Sequence, residues 1–298
     1  MHTYVITGGT GKTGRELSLG LLKKGNKVRV ICRNPDRAEE LKREGAEICA
    51  GNIGDELFMK MAFQGADAAY VVLPMDVFAI DYTVAQVTHA YAIRKAVVEA
   101  GIKFVVTLSS VGAHLDEGNG VVMGLHEMEE LFNQVTDLNV KHIRAAYFME
   151  NTLKQIPIIK QKGIMEGPEK GNVKFAMVAA KDIAALALRY LHKLDFFGKS
   201  IAYALGQRDV SYDEIATIYG SLIGLPDLKY VQLSQEEFLL SMSQIGMGRS
   251  AIDKFYEYTQ LINNAKVSGF YQRTPGRKTP TSIESFALVF KERYEREA

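Results

Sequence analysis

Residues 3–15 run Thr-Tyr-Val-Ile-Thr-Gly-Gly-Thr-Gly-Lys-Thr-Gly-Arg, a short β-rich stretch that opens directly into glycine at positions 8, 9, 11 and 14. The spacing satisfies both G-x-x-G-x-x-G (Gly8, Gly11, Gly14) and G-x-G-x-x-G (Gly9, Gly11, Gly14). Glycine answers two demands in such a place. A tight strand-to-helix turn needs permissive dihedrals, and a pyrophosphate must approach bare backbone. Leu17, Leu21 and Leu22 continue the chain in helical register, so the glycines stand where a strand passes into a helix, which is the context that gives the motif meaning. That helix would turn unpaired N–H groups and the positive end of its dipole toward the phosphates. Gly11-Lys12-Thr13 imitates the end of a nucleotide-triphosphate loop. That pattern needs glycine at position 6, where Ile6 lies inside the strand, so a nucleoside triphosphatase is set aside.

A chain of 298 residues can bury a sizeable core in one large domain or two. Lys and Arg number 36 against 35 Asp and Glu, and a net charge of +1 gives no basic field to grip nucleic acid. No apolar run approaches a membrane span, and the first residues read as strand rather than as a leader. The cytoplasm is therefore the expected location, with no membrane partner. Cys32 and Cys49 fall near the ends of the second and third predicted strands, and two free thiols are expected.

Strands are predicted at 3–7, 27–32, 46–50, 67–73, 103–108 and 140–145, and helices at about 12–24, 35–44, 55–64, 82–100 and 124–136. Pro35 sits just inside the second helix, and Gly25, Gly45, Gly65 and Gly101 stand just past helix ends. Such alternation predicts an α/β fold, a doubly wound Rossmann-type parallel sheet covered on both faces. Beyond residue 150 the rhythm changes. Residues 164–170 read as loop, 173–178 as strand, 182–192 as a helix beginning at Asp182, and 201–205 as strand. Ser211…Glu214, Ser234…Glu237 and Thr281…Glu284 have the spacing of capping boxes. The expected division is a dinucleotide-binding domain over 1–150 and a smaller, mainly helical lobe over 151–298, with some strands returning to the main sheet. In such sheets ligands bind outside the strand C-termini, where the lobe would form a cover.

The residue about 20 positions after the glycine turn reads the adenosine ribose, and a carboxylate there favours a free 2′-hydroxyl. Here the second strand ends in Arg33-Asn34, and Asp36 follows only after Pro35. A guanidinium at the strand tip forms a charge-assisted fork with a 2′-phosphate, and Lys12 could reach the same group. NADP(H) is predicted over NAD(H).

Further segments make the chain resemble the NmrA-like group of atypical short-chain dehydrogenases/reductases. They are Thr7–Gly14, Arg33-Asn34-Pro35, Gly51-Asn52-Ile53-Gly54-Asp55, Leu73-Pro74, Leu108-Ser109-Ser110, Ile143-Arg144, Phe148-Met149-Glu150-Asn151, Lys181-Asp182-Ile183-Ala184 and a terminal run from Thr279 to Glu284. The resemblance covers almost the whole chain. It implies that Gly8, Thr10, Gly11, Lys12, Thr13 and Gly14 hold the pyrophosphate and Arg33 the 2′-phosphate. Asn52 and Ile53 would lie against adenine, Leu73 and Pro74 along the ribose path, and Ser109, His126 and Phe148 near the nicotinamide. Asn52 departs from the family's frequent aspartate, and Ala145 from its frequent proline.

Typical short-chain dehydrogenases place Tyr-x-x-x-Lys on the helix after the fifth strand, where the lysine lowers the tyrosine pKa. The only such string here, Tyr91…Lys95, lies one crossover too early and reads as coincidence. In the expected helix stands His126, equally a proton donor and a helix-start histidine bonded to a loop or to the cofactor amide. Ser110 and Tyr147 are further candidates for polarising a substrate oxygen. The histidines lack metal-ligand spacing, and no metal is predicted. The resemblance implies an oxidoreductase, an NADPH-dependent reductase passing hydride to a small planar electrophile such as a quinone, imine or iminium, or azo compound. The alternative is a non-catalytic NADP(H)-binding redox sensor that acts through a protein partner. A homodimer is compatible with either.

Overall fold

Strand and helix alternate through the first half of the chain as β1 (Thr3–Thr7), α1 (Lys12–Lys23), β2 (Lys27–Cys32), α2 (Glu39–Arg43), β3 (Glu47–Ala50), α3 (Glu56–Phe63), β4 (Ala68–Val71), α4 (Tyr82–Glu99), β5 (Phe104–Ser110), α5 (Met123–Asn133) and β6 (Asn139–Ala145). The second half adds β7 (Tyr147–Phe148), α6 (Ile156–Lys162), β8 (Met165–Gly167), β9 (Phe175–Val178), α7 (Ala180–Lys193), β10 (Lys199–Ala204), β11 (Asp209–Val210), α8 (Tyr212–Ile223), β12 (Tyr230–Gln232), α9 (Gln235–Gln244), α10 (Arg249–Asn263) and α11 (Ile283–Arg296). The computed structural model describes residues 1–296.

Seven parallel strands form the main sheet in the order β10-β6-β5-β4-β1-β2-β3. Parallel sheets must be covered on both faces, and the central strands read accordingly: Ala68–Val71 of β4 are all buried. Side chains alternate across the sheet. Tyr4, Ile6, Val30, Tyr70 and Val106 point to a core shared with α1 and α7, while Val5, Ile31, Ala69, Val71 and Val105 point to one shared with α3, α4 and α5. The strand order reverses between β1 and β4, and at such a point the chain leaving each C-terminus turns to opposite faces and opens a crevice. The fold is the doubly wound Rossmann-type sheet with a helical C-terminal region.

β10 joins the sheet as an edge beside β6, so the second half returns to the first. Apart from α7, which packs on the sheet beside α1, the rest of that half builds a lobe over the strand C-termini, with short sheets β11-β9-β7 and β12-β8 among α8 to α11. Backbone and side-chain bonds fasten it: Gly248 N–H donates to the Val77 carbonyl at 2.8 Å, and Tyr82 N–H to Ser250 Oγ at 3.0 Å.

Four expectations change. Residues 164–170 are not loop throughout, because Met165–Gly167 pairs in parallel with Tyr230–Gln232. The helix predicted at 35–44 divides into a 3₁₀ turn over Pro35–Ala38 and α2, with Asn34 Oδ1 accepting the Asp36 amide at 2.9 Å. The helix expected to start at Asp182 starts at Ala180, because the Ala180 amide is accepted by Glu150 (2.9 Å) from another segment. The boxes at Ser211 and Ser234 form, whereas Thr281 gives its amide and hydroxyl to Asp182 (2.9 and 2.8 Å), leaving Ser282 to accept the Ser285 amide at 3.1 Å. No described helix is long and apolar enough to cross a membrane.

Candidate functional site

The glycine turn is built by close approach. Gly8 leaves β1 at φ +63°, a left-handed conformation in which a side chain is strained. A Cβ on Gly14 would lie 2.4 Å from the Gly8 carbonyl oxygen and 2.8 Å from Gly9 Cα, so α1 seats against the turn only because position 14 is bare. A Cβ on Gly9 would meet Val30 Cγ1 at 2.5 Å, which packs the turn onto β2. Gly11 caps α1 in an extended conformation, no side chain caps the helix, and its first turn carries no acidic residue. The N-terminal amides of α1 are thus left for an anion. Thr7 Oγ1 accepts the Val72 amide at 2.7 Å and donates to the Val72 carbonyl at 2.9 Å, pinning β1 to the chain that leaves β4. Thr13 is buried and receives the Tyr70 hydroxyl at 3.2 Å, and Thr10 stands half-buried in the turn.

Lys12 opens the first turn of α1. Burial lowers its pKa, and the charges acting on it are Glu150, which opposes that fall, and Lys154, both on the segment after β6. Arg33 stands exposed at the tip of β2 and enters none of the ion pairs among the described residues, whereas Arg15 is taken by Glu16 and Glu40. The structure adds His89 of α4, which the sequence left unremarked. Burial lowers its pKa, Asp76 opposes this and Arg33 reinforces it, and its Nδ1 is buried without a partner. Asn52 is exposed, its Oδ1 accepting the Gly54 amide at 3.0 Å, and Ile53 and Leu73 are largely sunk in the core beside the half-buried Pro74.

At the other end of the crevice the adjacent serines of β5 part company. Ser109 faces α5, is 2% exposed and donates to Glu129 Oε1 at 2.5 Å. Glu129 is clasped by Arg144 of β6 through Nε at 3.0 Å and a terminal nitrogen at 2.6 Å, forming a buried bidentate pair. The Ser109 side chain belongs to that core network and does not reach the crevice. Ser110 faces the opposite side. Its hydroxyl and that of Tyr258 of α10 converge on the Val111 carbonyl at 3.0 and 3.2 Å. Burial pushes the Tyr258 phenol up to about 12, so it stays protonated.

Val111, Tyr147, Phe175, Tyr258, Ile262 and Tyr271 line a narrow cavity where the lobe meets the ends of β5 and β6. Tyr147, on β7, accepts the Tyr212 hydroxyl at 3.3 Å. Phe148 beside it pairs with Val178 of β9 and is half-buried. His126 does not line this cavity; its Nδ1 lies 2.9 Å from the Ala113 carbonyl, the loop-anchoring alternative. That bond requires the proton on Nδ1. Tyr91 is exposed on α4 and Lys95 pairs with Glu56 of α3, so Tyr91…Lys95 takes no part. A second, open depression, lined by residues 133–139 with Lys103 and Lys199, lies at the opposite, N-terminal ends of β5 and β6. Parallel sheets bind ligands at the C-terminal ends, so the crevice and the narrow cavity are the candidate site.

The model of the NmrA-like family matches residues 2–285. The chain belongs to this family. It is 26% identical over 284 residues to the NAD(P)H azoreductase of Xenophilus azovorans, covering 94% of this chain and 95% of that one. The NADPH-dependent quinone oxidoreductase of Escherichia coli, crystallised with NADPH, superposes with a TM-score of 0.80 at 21% identity over 96% of this chain and 99% of its own. The triphenylmethane reductase of Citrobacter sp., crystallised with NADP(H), gives 0.72 at 19% identity, with 99% and 100% covered.

Proposed function

We propose that this family member is an NADPH-dependent oxidoreductase that delivers hydride to a small planar electrophile, of the quinone, imine or azo kind. The observation that carries the reading is the presence of two features at the C-terminal ends of the strands: an α1 N-terminus free of side-chain cap and acidic residue, and a small aromatic cavity lined by three phenols, Tyr147, Tyr258 and Tyr271. The amides after Gly11 would hold the diphosphate and Arg33 the 2′-phosphate, while Leu73 and Pro74 border the path between. The full-length likeness to an azoreductase supports the same chemistry.

The bound dinucleotide supplies hydride, and this chain's residues do the rest. The rings of Tyr147, Phe175 and Tyr271 wall a cavity of about 10 Å³, room for about one water, so a flat acceptor would have to part them to enter. Ser110 and Tyr258, tied together at Val111, hold the wall of β5 against the lobe, and Tyr147 presents a protonated hydroxyl to the acceptor. The test is NADPH oxidation against menadione, an imine, an azo dye and a triarylmethane dye, with NADPH and NADH titrated calorimetrically in parallel. Turnover with any acceptor and preference for NADPH support the reading. Tight NADPH binding without turnover overturns it in favour of a non-catalytic redox sensor.

A further inference from the structure

One histidine beside the glycine crevice has hydrogen-bonding capacity that the fold does not use. His89 lies two turns into α4 and is half-buried. Its Nδ1 is sealed from solvent without a partner among the described residues, so Nε2 is the ring nitrogen left to meet a ligand.

The neighbours of the ring place it. Ala90 and Ile93, the next residue and the next turn of α4, are packed in the same core cluster as Ile53 from the loop after β3 and Leu73 from the chain leaving β4. The charged groups that act on the ring are Arg33 at the tip of β2 and Asp76 in the loop after β4. β1 with its glycine turn lies between β2 and β4 in the sheet. A ring that feels both of those strand ends borders the crevice, on the side where the second strand's tip meets the adenosine half of a dinucleotide.

We propose that His89 is a specificity residue for the adenine of the bound dinucleotide, its Nε2–H donating to a ring nitrogen of the base. The proposal rests on the reading of this crevice as a dinucleotide site. Orphaned buried N–H groups are rare, so the proton belongs on Nε2 and the lone pair on the sealed Nδ1. Adenine presents ring nitrogens as acceptors, which is what such a donor needs.

The charge state separates the base from the 2′-phosphate. A second proton on the ring would put an N–H on Nδ1 with nothing to receive it. Burial, reinforced by Arg33, holds the His89 pKa below the ordinary histidine value. Asp76 opposes that fall, but its Oδ1 is turned to the Phe78 amide at 3.2 Å. On α4 itself, Ala85, Gln86, Ala92 and Ile93, one turn either side, carry no charge. From α3, α5 and α10, the helices packed on α4, no charged group among the described residues acts on the ring. His89 is therefore a neutral donor at pH 7, which suits a neutral base. A dianionic phosphate calls for a cation, and Arg33 supplies it.

The test titrates NADPH and NADH calorimetrically into wild type, His89→Leu and His89→Gln at about pH 6 and pH 8, between which an ordinary histidine changes charge. Leucine removes the donor, and glutamine returns an amide N–H near the place of Nε2. His89→Leu should weaken NADPH and NADH by the same factor, about tenfold, the scale of one net hydrogen bond, and equally at both pH values. His89→Gln should recover most of that loss. Melting temperatures of the free proteins should stay within about 4 °C of wild type, because the ring has no bond in the fold to lose. A loss confined to NADPH, or one that grows at the lower pH, would put a cationic His89 on the 2′-phosphate and overturn the base contact. Unchanged affinity in His89→Leu, or no recovery in His89→Gln, overturns it as well and leaves the dinucleotide site standing. Wild type that binds neither cofactor overturns the site, the reductase reading and this role together.

Discussion

Arg144→Met should be among the most damaging single substitutions in the sheet. Glu129 is 2% exposed, and its carboxylate is held by two Arg144 nitrogens and the Ser109 hydroxyl. Removing the guanidinium leaves a buried carboxylate with one neutral donor in place of three. Breaking a buried pair from one side costs about 3–5 kcal/mol, a large part of the roughly 5–15 kcal/mol that stabilises a domain. At roughly 2–4 °C per kcal/mol for a chain of this size, the melting temperature should fall by about 6–20 °C. Taking out both charges is a different matter, because the desolvation cost of Glu129 leaves with it. Arg144→Met combined with Glu129→Met should recover to within about 1 kcal/mol of wild type. The chain has no tryptophan, so urea unfolding is followed by far-ultraviolet circular dichroism, with coincidence of a tyrosine signal as the check on two-state behaviour. A loss below about 1 kcal/mol for Arg144→Met alone would mean the pair is hydrated, and the buried-pair argument falls.

Arg33→Ala should cost about 1–3 kcal/mol of NADPH affinity and little for NADH, read by calorimetry; equal losses for both would remove Arg33 from the 2′-phosphate. Gly14→Ala should weaken NADPH at least about tenfold by driving α1 off the turn, since its Cβ would meet backbone on two sides; unchanged affinity would show that the turn yields. His126→Ala should lower kcat by less than about tenfold, because Nδ1 is committed to the Ala113 carbonyl; a fall of about 10²–10⁴ with loss of a pH limb would make it the proton donor instead. Glu169→Gln should stabilise the protein at alkaline pH. With its folded pKa raised to about 7 from an ordinary 4.5, wild type loses stability as pH rises between those values. The variant's advantage should therefore grow over that window to at most about 3 kcal/mol and vanish below it, and a constant difference across pH would refute the cause.

The main sheet was legible because its strands are short and rich in β-branched and apolar residues, and its first four helices exit through Gly25, Gly45, Gly65 and Gly101. The strands of the lobe were not. Met165–Gly167 is three residues long and pairs with a segment more than sixty residues away, so no local pattern announces it. The serines of β5 show the same limit at atomic scale. The sequence offers Ser109 and Ser110 side by side, but side chains alternate across a strand, and only the placement of α5 tells which one meets Glu129 and which one meets Tyr258. Tyr258 of α10 comes beside Ser110 by tertiary packing alone, and nothing in its spacing marks it.

The motifs of the second half, by contrast, were legible for a reason other than chemistry. Glu150 accepts the Ala180 amide at the start of α7, Asp182 two residues on holds Thr281 by amide and hydroxyl, and Glu284 pairs with Arg208 at 2.7 Å. Each joins segments between 30 and 99 residues apart. Burial raises the Glu150 carboxyl while the Ala180 amide and Lys12 lower it, so the same residue that caps α7 also sets the field at the first turn of α1. These residues therefore fasten the lobe to the sheet and fix its distance from the glycine turn. The cavity proposed to meet the acceptor is walled instead by Tyr147, Phe175, Tyr258 and Tyr271, side chains that the clasps position.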